Sequence, residues 1–313
     1  MERVKLILDM DGDADNLLAL AYALRSPEVE VLGVVTGHGF CQPETAARGV
    51  DALLKAMGRE LPVIPGAQRP LMRANMDRAL ERPAPGTVVD TVAWDWMYRT
   101  LVDSETKVTI CLLGTATNLM HLLYRYPQAA EKIEKILFAG GAFSFGTLNA
   151  SACHKVYFDA EGMQFLMHSG IPFYMASVDV TSGYTEGVEL SALLDGWTGD
   201  VWPAVRSAMV PCVRANRCVR TPLALVSLTH PELFRYDACK CEVELHGDIT
   251  YGMTVVYKNH FAGIEELPDG TKVRVEVADK DKNIWYMDGF DRQQVLDIVT
   301  ERIGGLMRNG GAV

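Results

Sequence analysis

Four aspartates crowd into seven residues near the start of the chain: Asp9, Asp11, Asp13 and Asp15, in the run Leu6-Ile7-Leu8-Asp9-Met10-Asp11-Gly12-Asp13-Ala14-Asp15-Asn16. They follow an apolar strand directly and precede a helix directly. Like charges gathered at a strand end cost free energy unless a cation or hydrogen-bond donors compensate them. Capping by Asp15 or Asn16 accounts for part of the cluster, but not for Asp9 and Asp11. The segment therefore reads as a site for a cation, for polar ligand groups or for acid–base chemistry. A twelve-residue calcium loop would need glycine at its sixth position and glutamate at its twelfth. Counting from Asp9 gives Ala14 and Leu20, and counting from Asp11 gives Asn16 and Tyr22, so that pattern is excluded.

The elements that would hold this cluster are legible as alternating short apolar runs and helical-period segments. Strands are expected at Val4–Leu8, Val29–Thr36, Leu61–Ile64, Lys107–Leu113, Lys135–Phe138 and Pro172–Val178. Helices are expected at Asp15–Leu24, Pro43–Met57, Thr87–Leu101, Thr117–Tyr126 and Ala160–Ser169. Such alternation predicts an α/β fold: an open, mainly parallel sheet with helices on both faces. Its ligands bind beyond the carboxyl ends of the strands. Gln68–Gly86 reads as a loop over the sheet edge. Near residue 240 the rhythm shifts to short strands at Cys239–Leu245, Thr254–Tyr257 and Lys272–Val277, a small β-rich excursion, before a closing helix at about Asp291–Met307. Without a repeat or linker, residues 1–313 read as a single domain.

Composition bounds the partners. Hydrophobic residues make up 49% and charged residues 22%, the balance of a soluble globular protein. A formal net charge of −10 repels polyphosphate, so no nucleic acid is expected as partner. With no apolar run near the length of a span, no membrane is expected either. Seven cysteines without a secretory signal read as free thiols in a reducing cytoplasm. Cys239 and Cys241 alternate on a strand-like run, so they read as a buried thiol pair on one side rather than a zinc site.

Two family resemblances bear on the acidic cluster. Asp9-Met10-Asp11-Gly12 is similar to the opening of haloacid-dehalogenase-type phosphatases, with Asp9 as nucleophile and Asp11 as acid–base. Asp13 departs from that pattern, and no downstream Gly-Asp-x-x-x-Asp motif accompanies it. The wider resemblance is to the nucleoside hydrolases, which carry Asp-x-Asp-Pro-Gly-x-Asp-Asp after their first strand. Asp9, Asp11 and Asp15 align with it, while Gly12, Asp13 and Asn16 depart. Further segments resemble the family in the same order: Gly33-Val34-Val35-Thr36, Val63-Ile64-Pro65-Gly66-Ala67, Leu113-Gly114-Thr115-Ala116-Thr117-Asn118-Leu119, Gly140-Gly141-Ala142, Val156-Tyr157-Phe158-Asp159-Ala160-Glu161, Val178-Asp179-Val180-Thr181 and Pro222-Leu223-Ala224.

This resemblance implies hydrolysis of an N-ribosyl bond, a nucleoside or other ribosyl compound as small-molecule ligand, calcium as cofactor and a homo-oligomer. It makes Asp11 the general base and a calcium ligand, has Asp15 bind ribose hydroxyls, and has Thr117 offer its carbonyl to calcium. Other positions are changed. Asn16 and Thr221 replace two calcium aspartates. Arg220 replaces a histidine near the leaving base, and Phe40, Cys153 and Lys155 replace sugar-binding residues. The losses of carboxylate and gains of cation share a sign. They predict weak or altered hydrolysis, or a repurposed ligand-binding homologue, without calcium bound in the family's manner. Lys155 or Arg220 is expected to bond Asp11 directly. Cys153 and His154, read as strand neighbours, would face opposite sides and form no dyad. His38 and the remaining histidines read as ordinary surface or core residues.

Overall fold

The computed structural model describes residues 2–72, 91–182 and 220–308. Its frame is one eight-stranded sheet in the order β3-β2-β1-β4-β5-β6-β12-β7. The strands are β1 (Val4–Met10), β2 (Val29–Thr36), β3 (Val63–Pro65), β4 (Val108–Leu112), β5 (Ile133–Ala139), β6 (Phe173–Ala176), β7 (Phe234–Cys239) and β12 (Ile284–Phe290). All neighbours run parallel except β12 and β7. The open, mainly parallel sheet expected from the sequence is present.

Side chains along β1 alternate between two cores, as a strand's pleat requires. Leu6, Leu8 and Met10 join one cluster and Ile7 the other. The first core is closed by α1 (Ala14–Arg25), α2 (Pro43–Ala56), α8 (Pro222–Thr229) and α9 (Arg292–Arg308). The second is closed by α3 (Ala93–Asp103), α4 (Thr117–Arg125) and α6 (Ala160–Met167). Helices thus cover both faces. Helix α2 shows why: Pro43 pre-sets its first turn, and Ala46, Ala47, Val50, Leu53 and Leu54 recur at helical spacing and are all buried. Two further short helices, α5 (His154–Tyr157) and α7 (Val178–Thr181), follow β5 and β6. No described helix is long and apolar enough to cross a membrane.

The β-rich excursion is larger than its pattern indicated. Two two-stranded sheets form, β8 (Cys241–Val243) with β9 (Thr254–Val256) and β10 (Phe261–Glu266) with β11 (Lys272–Glu276). Strands β7 and β12, neither anticipated, return to the main sheet. Cys239 and Cys241 close β7 and open β8, both fully buried in one core, as a buried thiol pair should be. Helix α3 begins at Ala93 after Val92 as its N-cap, later than the pattern placed it. Most of the Gln68–Gly86 reading, together with Cys212 and Cys218, lies outside the described residues.

Chain order along the sheet reverses between β1 and β4. Beyond the carboxyl ends of two such strands their loops diverge and leave a crevice. Asp11 and the Gly114–Thr117 loop stand at that place.

Candidate functional site

The loop after β1 is stitched to its neighbours by backbone bonds. Leu113 N donates to Asp9 O at 2.7 Å, Gly37 N to Met10 O at 2.8 Å and Cys41 N to Asp11 O at 3.3 Å. Gly12 turns the chain at φ +81°, a region glycine enters without strain. Gly39 lets the next loop close on the aspartate: a Cβ there would stand 2.7 Å from the Asp11 Cβ. Asp11 is thus fixed by backbone on two sides.

Asp11 has no exposed surface, and each of its oxygens has a donor. Oδ1 accepts from Asn16 Nδ2 at 2.8 Å and from Asp13 N at 3.2 Å. Oδ2 faces His154 Nε2 at 3.2 Å. Burial alone would raise the Asp11 pKa. The His154 hydrogen bond and the charges of His154 and Lys155 outweigh it and hold the carboxyl below its ordinary value. Burial likewise works against charge on His154 and Lys155, yet their aspartate neighbours raise both above the ordinary values. Lys155 is buried and donates to Ala139 O at 3.0 Å.

Around this centre lies a cavity of about 270 Å³ whose wall includes Asp13, Asp15, Cys153, His154, Lys155, Arg220 and Thr221. Asp15 enters from the first turn of α1. Its Oδ2 accepts from the backbone N–H groups of Arg220 and Thr221 at 3.2 and 3.1 Å, at the start of α8. Its Oδ1 is buried with no protein partner. Asp13, the N-cap of α1, is pushed up to about 6 by burial and then by Asp15 and Asp11.

Behind Asp11 run two polar chains. Asn118 donates to Asp9 Oδ1 at 2.9 Å and to Thr36 O at 3.3 Å, while its own Oδ1 accepts from Ala67 N at 2.7 Å. Burial pushes the Asp9 carboxyl up to about 8, against the Asn118 bond and with added repulsion from Asp11. In the second chain the Thr117 hydroxyl donates to Asp159 and accepts from His38 Nε2 at 2.8 Å. Burial holds His38 down to about 4, so it is a neutral donor at neutral pH.

The structure gathers most of the residues singled out in the sequence. Asp15, Cys153, Lys155, Arg220 and Thr221 line the cavity, with Asp11 and Asn16 directly behind it and Thr117 at the base of α4. Phe40 does not reach the cavity wall; it is 39% exposed on the loop after β2. The bond to Asp11 expected from Lys155 or Arg220 is made by His154 instead. The reason is local: Cys153 caps a short helix rather than continuing a strand, so residues 154 and 155 diverge by about 100° and both turn inward. His38 is buried, as a core histidine was expected to be, and bonds Thr117. Asn118 and Asp159 had been noticed only as motif letters; their hydrogen bonds give them work. The signal that could have found His38 is its place one residue past Gly37, at the carboxyl end of β2.

Residues 6–297 match the model of the inosine-uridine preferring nucleoside hydrolases. The chain belongs to that family. The pyrimidine-specific ribonucleoside hydrolase RihA of Escherichia coli (strain SMS-3-5) is 30% identical, over 95% of this chain and 97% of the relative. Two solved nucleoside hydrolases share the fold. A plant enzyme, PpNRh1, has a TM-score of 0.77 at 22% identity, covering 96% of this chain and 99% of its own. A purine-preferring ribonucleoside hydrolase from Gardnerella vaginalis has a TM-score of 0.74 at 24% identity, covering 97% and 99%. Family membership leaves the phosphatase resemblance confined to Asp9–Gly12.

Nucleoside hydrolase membership implies calcium, and the residues present do not fit it. A calcium site needs six to eight oxygen ligands, several of them charged. Here the Asp11 oxygens are taken by N–H donors, Asn16 and Thr221 supply no charge, and an ammonium lies buried beside them. Among the described residues no group of three or more His, Cys, Asp or Glu is placed to hold a metal ion.

Proposed function

We propose that this family member takes a ribosyl compound into the cavity beside Asp11 and hydrolyses its N-glycosidic bond slowly. Asp15 carries the reading. Asp15 lines the cavity; one of its oxygens is locked to the start of α8, and the other is buried with no partner among the described residues. Such an acceptor costs free energy unless a ligand hydroxyl donates to it, and a ribose diol supplies that donor.

In hydrolysis a water oxygen attacks the anomeric carbon, Asp11 takes the water's proton, and the carbon–nitrogen bond breaks with its electron pair leaving on the base. Asp11 is a poor base for this step, since it has no exposed surface and stands behind the cavity wall. Its lone pairs are engaged by Asn16, Asp13 and His154, and its pKa is lowered. That same engagement favours a second reading, a homologue that binds its ligand without turning it over.

Uridine, cytidine and inosine are the compounds to assay, beside a pyrimidine-specific relative. Rates roughly a hundredfold or more below the relative's are expected, since losing two or three strong ribose hydrogen bonds costs about 3 kcal/mol or more. Robust turnover of uridine or inosine, abolished by Asp11→Ala, would refute the weakened-hydrolase reading.

A further inference from the structure

In a nucleoside hydrolase the pocket's positive charge is expected to arrive as a divalent ion. Here positive charge is already built in. His154 presents Nε2 to Asp11 Oδ2 at 3.2 Å, and Lys155, the next residue, brings a buried ammonium that donates to the Ala139 carbonyl at 3.0 Å. Both come from a single helical turn, α5, started at Cys153. The other Asp11 oxygen is met by the Asn16 amide. That amide's orientation is set by its surroundings: its NH₂ lies between two acceptors, Asp11 Oδ1 at 2.8 Å and Leu113 O at 3.3 Å.

We propose that the buried Lys155 ammonium, with the His154 imidazole seated on Asp11, stands in for the divalent metal of the family and excludes it. A calcium ion beside Asp11 would have to displace the imidazole and the amide from the carboxylate. It would then sit near an ammonium in a medium that screens poorly, where like charges repel strongly. Among the described residues, Asp15 Oδ1 and Asn16 Oδ1 are both buried without a partner. One belongs to a carboxylate and the other to an amide, while both oxygens of the neighbouring Asp11 are already met by N–H donors. The two unpartnered oxygens suit a ligand that brings hydroxyl or amine donors. The carboxylates keep their role towards a polyol, and the charge that balances them is covalently part of the chain.

The inference needs no turnover to test. Chelator-treated protein is titrated with calcium chloride by calorimetry. No saturable heat is expected up to about 1 mM, the weak end of protein calcium sites. One-to-one binding tighter than about 100 µM by the unmodified chain overturns the proposal. In the converse arm, His154→Phe and Lys155→Asn are combined with Asn16→Asp and Thr221→Asp, and folding is checked by circular dichroism. The folded variant is expected to gain one-to-one calcium binding at least tenfold tighter than the unmodified chain. A folded variant that gains none counts against the cation-substitution account. If that variant does not fold, the titration of the unmodified chain decides by itself. A D-ribose thermal shift, measured with chelator and with calcium, separates this from the ribosyl reading. An equal upward shift in both supports a metal-free site, and a shift seen only with calcium overturns it. No shift in either condition counts against the ribosyl reading alone, while the calcium titration still settles the cation.

Discussion

Asp9 and Asp11 end the same strand two residues apart, and neither has more than 1% of its surface exposed. Burial pushes on both in the same direction. Asp9 yields and rises to about 8, because its one side-chain donor is the neutral Asn118 amide and its second oxygen has no partner. Asp11 does the reverse, because three donors reach it and two of its neighbours are cations. The contrast teaches that the state of a buried carboxylate is written by its donors and not by its depth. Two identical side chains can share a strand end because only one of them carries the charge.

The largest way to break the contrast is to remove Asp11. Asp11→Ala leaves the His154 and Lys155 charges buried without compensation, and a loss of about 3–5 kcal/mol in urea unfolding is expected. A loss under about 1 kcal/mol would show that the two cations do not depend on Asp11.

Next comes Asp9, where the sign runs the other way. Its carboxyl keeps a proton in the fold up to about 8, against an ordinary value of 3.8. Folding therefore binds a proton between those values. This contribution is fully present below about 4 and is lost as pH rises through 8. Asp9→Asn should raise stability at pH 8 by on the order of 2 kcal/mol and flatten the decline between pH 5 and 8. An unchanged pH profile would mean that Asp9 is already ionised in the fold.

Asn118→Ala is a smaller change, leaving Asp9 Oδ1 and Ala67 N without their partner. About 1–2 kcal/mol should be lost, with the Asp9-dependent decline shifted to higher pH. Smallest of all is Phe40→Ala. Standing off the cavity wall and 39% exposed, Phe40 should change stability by less than about 0.5 kcal/mol and leave a D-ribose thermal shift where it was. A clear loss of ribose binding would return Phe40 to the site.

What the sequence made legible was whatever is long and repetitive. A parallel strand buried on both faces writes itself as an unbroken apolar run, and so β1, β2 and β4 were found at once. Helix α2 was as plain, its apolar spacing spread over several turns. The acidic cluster was equally plain, since four aspartates in seven residues are more than helix capping uses. Short elements left no such mark. Helix α5 has four residues, too few for a period to show, and so His154 was read as a strand residue facing away from Cys153. Strand β12 mixes Trp285, Asp288 and Gly289 among its apolar residues, and its place between β6 and β7 comes from pairing across the chain. His38 lay on a loop, where position is decided by neighbours and not by pattern.

The sheet order has one more consequence, for the sequence of events in biosynthesis. Among the described residues strand β7 pairs into the main sheet only through β12, which is made dozens of residues later. At ribosomal rates that is a delay of roughly 2–9 s. Throughout it both edges of β7 lack a partner in the main sheet, and β6 ends the growing sheet as an open edge. Unpaired edges of this kind recruit foreign strands. The nascent chain is thus most exposed to misassembly just before residue 284 emerges, when β1 to β6 are already complete. A chaperone that binds extended apolar segments would find its hold on the open edge of β6, Phe173–Ala176, for those few seconds.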